Sequence, residues 1–528
     1  MAQICRLSCS SARKWFGDCT FVYVGIGSNP VTDTTAAAPL QTHSLASLDR
    51  AVGAPGYDRS ALRRSIVHIG VGGFHRAHLA TYIDELCANG RTDWGIVGCG
   101  VLPGDAAMAD ALGSQDTLYT LITRGAASTD VQVIGSMVDY IHAWPDAERA
   151  IAQMAHPDTQ IISLTVTEGG YPVDDITGEH VPDSPNAGPQ SAFGIIAAAL
   201  ERRRTSNGLP ITIMSCDNVM SNGDITRTAT IGEAGRVGAE LIEWIASSVS
   251  FPNSMVDRIT PATADSDREW LAANHKIADR WPVVTEPFRQ WVVEDHFAGE
   301  RLPLEDLDVI VTADVEPYEV MKLRLLNASH SCLAYLSALD NIETVDTAMA
   351  EPAIAGFVRA FLDHEAKPVL PPVAGIDIDA YNATLAERFS NPAIGDQISR
   401  LCLGGSAKFP KFLMPTVRAQ LAAGGPVALS ALALAGWCQY LLGTTDHGQS
   451  IELAPDPLLD TAIKFANLSV QEPTAFLGFA PVFGDDIASA DTFCTAFSDA
   501  LLRLRRSGIR PAIQTAMTET ENHGGSTA

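Results

Sequence analysis

Apolar residues in the first part of the chain gather into short, β-branched runs: Ile66-Val67-His68-Ile69, Trp94-Gly95-Ile96-Val97-Gly98, Val131-Gln132-Val133-Ile134, Ile161-Ile162-Ser163-Leu164-Thr165-Val166 and Ile211-Thr212-Ile213-Met214. Stretches of helical spacing lie between them, such as Leu79–Cys87, which Gly90 stops. Strands alternating with helices predict a parallel, doubly wound α/β sheet. Past residue 315 the texture changes. Glu319–Leu339, Ile354–Glu365, Leu385–Phe389 and Val427–Leu442 carry helical spacing with little β-branched clustering, and Pro368, Pro371-Pro372 and Pro410 read as breaks between them. A boundary is therefore expected near residue 314, with an α/β domain over 42–313 and a mainly helical domain over 314–528. No internal repeat is visible.

Residues 1–41 fit neither pattern. Arg13 and Lys14 follow rather than precede any apolar stretch, and Asp18 interrupts it, so a secretory signal is not expected. The segment reads as a poorly ordered extension.

Bulk properties narrow the function classes. With 528 residues, 46% of them hydrophobic, the chain can bury large cores. A formal net charge of -26 argues against coating nucleic acid, which needs clustered Lys and Arg. No apolar run reaches the roughly 18–20 residues that span a bilayer. The ten cysteines form no C-x-x-C pair and no zinc-finger spacing, which suits free thiols in a reducing cytoplasm.

Candidate chemistry begins at Gly70-Val71-Gly72-Gly73-Phe74-His75-Arg76, at the end of one predicted strand and the start of a helix. Glycines there let backbone N–H groups approach a pyrophosphate. The third glycine of G-x-G-x-x-G is absent, since position 75 is His, and Arg76 is a candidate to supply positive charge to the phosphates. A plain strand-to-helix turn is the alternative. An upstream echo at Val22-Tyr23-Val24-Gly25-Ile26-Gly27 runs into Pro30 and lacks a helix, so it is set aside. The acid expected on the adenosine ribose is Asp105, 35 residues past Gly70 rather than the usual interval of about 20; an exposed loop carboxylate is equally consistent.

The richest stretch is Glu319-Val320-Met321-Lys322-Leu323-Arg324-Leu325-Leu326-Asn327-Ala328-Ser329-His330. On a regular α-helix Glu319, Lys322, Asn327 and His330 share an arc of about 140°. A desolvated lysine can take a proton as hydride leaves carbon, while an amide and an imidazole hold the alcohol. An ordinary amphipathic helix with a Glu–Lys pair is the alternative. Asn218, in Ser215-Cys216-Asp217-Asn218 at the end of a predicted strand, offers a second amide or a turn cap. His75 and His78 have no obvious companion ligand, so no metal site is expected.

Seven stretches together resemble the polyol-specific long-chain dehydrogenases over roughly residues 42–510. They are Ile69–His78, Thr167-Glu168-Gly169-Gly170-Tyr171, Ser215–Asn218, Phe251–Pro261, Thr285–Trp291, Lys322–His330 and Ser406–Phe412. The resemblance implies a Rossmann-type domain followed by a helical domain, with the site in the cleft between them. It implies metal-independent, NAD-linked interconversion of a polyol and a ketose, mannitol and fructose for example. Lys322 matches the general base, Asn218 and Asn327 the alkoxide-stabilising amides, His330 the substrate-orienting histidine and Glu319 a proton-relay acid. Asp257, Arg400 and Lys408 match contacts to the polyol hydroxyls. Gly70, Gly72, Phe74, Arg76, Asp105, Glu168 and Gly169 match the cofactor site, Asp105 favouring NAD over NADP. The family leans towards monomers that bind small molecules, not nucleic acid or membranes. Arabinitol, sorbitol or hexuronate oxidoreduction is the sibling alternative. A non-catalytic redox-sensing module is the rival of another class. Gly104 stands where some members carry an acid, and Ala328 where the family has glycine.

Overall fold

The computed structural model describes residues 37–174 and 177–525. Its central sheet has six parallel strands: β1 (Arg64–Ile69), β2 (Gly95–Gly100), β3 (Met137–His142), β4 (Ile161–Leu164), β5 (Ile211–Ser215) and β6 (Val249–Ser250). They lie in the order β6-β5-β4-β1-β2-β3. The chain runs outward one way from β1 and returns to run outward the other way from β4. The crevice beyond the carboxyl ends of β1 and β4 is thus the topological switch point, where open α/β sheets bind ligands. Alternation explains why the strands read as continuous apolar runs. Ile66, Ile96 and Ile161 enter the core on one face, and Val67, Val97 and Ile162 the core on the other.

Two strand assignments differ from expectation. Val131–Ile134 belongs to Thr129–Ile134, which pairs antiparallel with Tyr119–Arg124 in a separate four-stranded sheet and not in the parallel one. Its alternating exposed and buried positions suit a strand with one wet face. Its place in the parallel sheet is taken by β3, whose sequence MVDYIH is too polar to stand out, and the two-residue β6 is too short to read. β3 sits at an edge and pairs only with β2, so its half-exposed positions tolerate Asp139 and Tyr140. Within the stretch read as an extension, Ala38–Pro39 pairs with Ile277–Ala278 and Leu40 is buried. The Gly25-x-Gly27 echo lies outside the described residues.

Beyond β1 come α1 (Gly73–Ala77) and α2 (Leu79–Ala88). The helical half opens with α3 (Glu316–Lys322), a single π-helical turn (Leu323–Asn327) and α4 (Ala328–Leu339). It continues through α5 (Ile378–Phe389), α6 (Gly405–Phe412) and α7 (Ala428–Tyr440). Pro410 lies inside α6 rather than breaking the chain, near the end of a helix of two turns, where it costs one hydrogen bond. α7 is apolar on all sides because it is enclosed, and Gly436 lets it approach Leu336 of α4 closely. Trp437 on α7 packs against Tyr335 and Phe409 in that core, where aromatic-to-alanine changes cost about 3–5 kcal/mol. Among the described residues no helix is long and apolar enough to cross a membrane.

Candidate active site

The glycine turn leaves β1 at Gly70, whose φ of +91° and contact with Thr165 exclude a side chain: a Cβ there would stand 2.1 Å from the Thr165 carbonyl oxygen. Gly72 is different, since a Cβ built on it meets nothing within 4 Å. The turn therefore offers bare backbone to open space, the surface a pyrophosphate needs. Phe74 flanks it and stacks on His78 with ring centroids 4.9 Å apart. Asp105 lies just past β2, its carboxylate accepting from Leu102 N at 2.9 Å. Gly100 leaves room for that side chain, as its Cβ would meet the Asp105 Cβ at 2.5 Å. The long interval from Gly70 spans α1, α2 and β2 and ends in the turn Pro103–Asp105 beyond that strand.

Arg76 does not reach outward. It is buried, its Nε donates to Gly72 O at 3.3 Å and its Nη1 donates to Trp281 O, with the Tyr119 ring beneath it at 5.3 Å. Its guanidinium braces the turn from inside instead of meeting a phosphate. His75 and His78 also face inward. His75 stacks on His68 with centroids 3.4 Å apart, and His78 Nε2 lies 2.9 Å from Gln290 O. Among the described residues no three His, Cys, Asp or Glu side chains gather as a metal set.

Glu168 and Gly169 occupy the loop after β4, exposed, and Thr167 before them has a positive φ of 66°. Asp217 holds that loop, accepting from Val166 N at 3.0 Å, Thr167 N at 2.8 Å and the Tyr171 hydroxyl at 2.7 Å. Strained backbone is kept only where its surroundings over-determine it, and Asp217 supplies that constraint. The sequence signal for this role is a carboxylate straight after a β-strand.

Lys322 ends α3, buried, and its Nζ donates to Asn218 Oδ1 at 2.5 Å and to Val256 O at 2.6 Å. Burial pulls its pKa below the ordinary lysine value and Arg388 acts in the same direction, while Asp257 and Glu319 pull the other way. The lowering cation is Arg388. Glu319, one turn earlier, accepts from Ser221 N at 3.1 Å, and burial lifts its carboxyl to about 7. Both residues line a small cavity with Asn218 and Met220.

The π turn corrects the helical arithmetic. Lys322 and Asn327 are five residues apart, the repeat of a π-helix, so widening this turn brings them towards one face where a regular α-helix would splay them. Asn327 Oδ1 and His330 Nε2 are buried without protein partners, and His330 stacks on Phe389 with centroids 4.2 Å apart. Burial drops the His330 pKa to about 3, so the ring is neutral.

Asp257 is gripped on both oxygens by Arg388, at 2.8 and 2.9 Å. Burial alone would lift this carboxyl, and the Arg388 charge and hydrogen bonds more than offset it, leaving the pKa below the ordinary value. Sequence reasoning missed Arg388, because its partners lie more than a hundred positions away and nothing local marks it. Arg400 is among the charges acting on His330, and Lys408 neighbours Arg400. Arg400 forks Asp396 at 2.6 and 2.5 Å and lines a cavity of about 770 Å³ with Arg124 and Asp267. Lys408 donates to Leu401 O at 3.2 Å, with Arg400 and Glu168 within electrostatic reach.

Comparison with known proteins bears on this arrangement. Residues 64–306 match the family model of the mannitol dehydrogenase Rossmann domain, and residues 314–505 that of the mannitol dehydrogenase C-terminal domain. Mannitol 2-dehydrogenase of Aspergillus fumigatus is 43% identical over 493 residues, covering 89% of this chain and 98% of its own. That of Phaeosphaeria nodorum is 42% identical over 490 residues, covering 90% of this chain and 85% of its own. Among solved structures, the Pseudomonas fluorescens mannitol 2-dehydrogenase ternary complex with NAD and D-mannitol superposes with a TM-score of 0.83 at 41% identity, covering 91% of this chain and all of that one. A D-sorbitol dehydrogenase in substrate-free form gives a TM-score of 0.82 at 32% identity, covering 90% of this chain and all of that one.

Proposed function

The chain belongs to the mannitol dehydrogenase family, and on that premise we propose that it interconverts D-mannitol and D-fructose with NAD, using Lys322 as the general base and no metal ion. The observation that carries the reading is a buried amine held between Asn218 and Val256 O beside a glycine-turn domain of the matching family. Bound at the turn of Gly70 and Gly72, near Phe74 and Asp105, with Glu168 and Gly169 on the facing loop, NAD supplies the hydride acceptor. The open space at Gly72 and the carboxylate beyond β2 fit such a group.

In this reading the neutral Lys322 amine takes the hydroxyl proton as carbon loses hydride. Asn218 gives its carbonyl oxygen to Lys322, which leaves its NH₂ to donate to the developing alkoxide, and Asn327 supplies the second amide. The neutral His330 ring, with Nε2 unpaired, orients the hydroxyl. Glu319, whose carboxyl titrates at about 7, relays the proton from Lys322 towards solvent. Asp257, Arg400 and Lys408 are assigned to the remaining hydroxyls. For the last two this requires the bound polyol to extend towards the cavity lined by Arg400.

We assign dinucleotide binding to residues 42–313 and polyol binding to 314–528, supported by matched stretches that meet between residues 306 and 314. We further take the protein to act on small molecules as a cytoplasmic monomer; free thiols at all the described cysteines agree with a reducing compartment.

The test is NADH formation from mannitol, arabinitol and sorbitol, with and without a chelator. Fastest turnover of mannitol, unchanged by chelator, is expected. Faster turnover of sorbitol or arabinitol reassigns the substrate, and activity lost to the chelator and restored by a metal overturns the metal-free mechanism.

A further inference from the structure

Arg388 reaches from α5 in the helical half to two carboxylates of the α/β half. Its terminal nitrogens take both oxygens of Asp257, and Nε with Nη2 takes both oxygens of Glu286 at 3.0 and 2.8 Å. The guanidinium lies over the Phe288 ring, 4.0 Å from its centroid. All three charged groups are buried. A lysine has no planar fork that could serve both acids at once.

The clamp touches the lysine site by two routes. Asp257 directly follows Val256, whose carbonyl holds Lys322 Nζ, and Glu286 accepts from Ile259 N at 2.6 Å just beyond. Holding the two acids therefore fixes the strand end on which the amine rests. The second route is charge. Asp257, Glu319 and Arg388 are the ionic groups acting on Lys322; its direct partners, Asn218 and Val256 O, are uncharged, and Glu286 faces Arg388. An Asp257 carboxylate left unpaired beside the amine would favour the ammonium form.

We propose that Arg388 is a positioning residue for Lys322: its two-armed grip on Asp257 and Glu286 seats the strand end under the amine and offsets the Asp257 charge, so that the amine is free to accept a proton. The inference rests on reading Lys322 as the base. It agrees with the direction in which Arg388 and Asp257 act on the lysine.

Lysine labelled with ¹³C at Cε reports the amine titration without turnover, and Lys322→Met identifies the resonance. Arg388→Met is expected to raise the Lys322 midpoint by about one pH unit or more, with an equal alkaline shift in the acid limb of kcat/KM for mannitol oxidation. Combining it with Asp257→Asn is expected to bring the midpoint back towards wild type, which a merely structural loss would not do. Arg388→Lys keeps the charge without the fork, so the midpoint is expected to stay near wild type while KM rises. An unmoved midpoint in Arg388→Met, or a double variant as shifted as the single one, overturns the proposal. If Arg388→Met fails to fold, Asp257→Asn alone decides: with Arg388 left in place the midpoint falls, and an unchanged midpoint overturns it. A wild-type protein that oxidises no polyol counts against the proposed function, and the titration still judges the clamp.

Discussion

The turn at Gly70–Gly72 is shaped by glycines that lack side chains, whereas the helix from Glu316 to Leu339 crowds polar ones into a buried face. Gly70 has no room for a Cβ and Gly72 has nothing against which one would pack. Lys322, in contrast, depends on Asn218, Val256 and Asp257, all supplied from elsewhere in the chain. The difference teaches that the glycine turn proposed for the cofactor is shaped mainly by one short stretch of chain, while the proposed base depends on the assembled interior.

Predictions follow from that contrast. The largest effect is expected for Lys322→Met: kcat for mannitol oxidation falls about 10³-fold, while NAD affinity, read by quenching of protein fluorescence, stays within about twofold. Equal losses in both would erase the distinction between the two regions. Gly70→Ala is expected to do the reverse of a clean chemical lesion. It forces a Cβ onto the Thr165 carbonyl at a positive φ, costing about 2–3 kcal/mol of stability, visible as a lowered Tm together with weaker NAD binding. A smaller change is expected from Asp105→Ser, where the ratio of kcat/KM for NAD over NADP drops roughly tenfold as the acid that opposes a 2'-phosphate is lost. Gly72→Ala sharpens the comparison most finely. With open space at that position, stability is expected to shift by less than about 1 kcal/mol while NAD affinity still weakens; a large loss of Tm would mean that Gly72 is there for the fold.

How much of this was legible in the sequence follows the same division. Strands buried on both faces announce themselves as apolar runs, so β1, β2, β4 and β5 were readable, as was the glycine turn between a strand and a helix. The edge strand β3 was not, because solvent on one side lets polar residues in. Lys322, Asn327 and His330 were legible as one cluster, but the α-helical period misplaced them slightly, since nothing in Leu323–Asn327 declares a π turn. Arg76 shows the limit of motif reading. A cation beside a phosphate loop invites a phosphate contact, yet the carbonyls of Gly72 and Trp281 claim it first. Arg388 depends on contacts that exist only after folding, and no spacing rule reaches across them.

The central claim is that a buried, neutral Lys322 is the base, and the pH dependence of kcat/KM for mannitol oxidation tests it most directly. The folded-state pKa of Lys322 lies below the ordinary lysine value, so the amine is neutral and active above that pKa and protonated and inactive below it. The account predicts a plateau at alkaline pH and a fall of about tenfold per pH unit on the acid side, absent from the residual activity of Lys322→Met. A flat wild-type profile with hydride transfer rate-limiting, or the same acid limb in the variant, would contradict it.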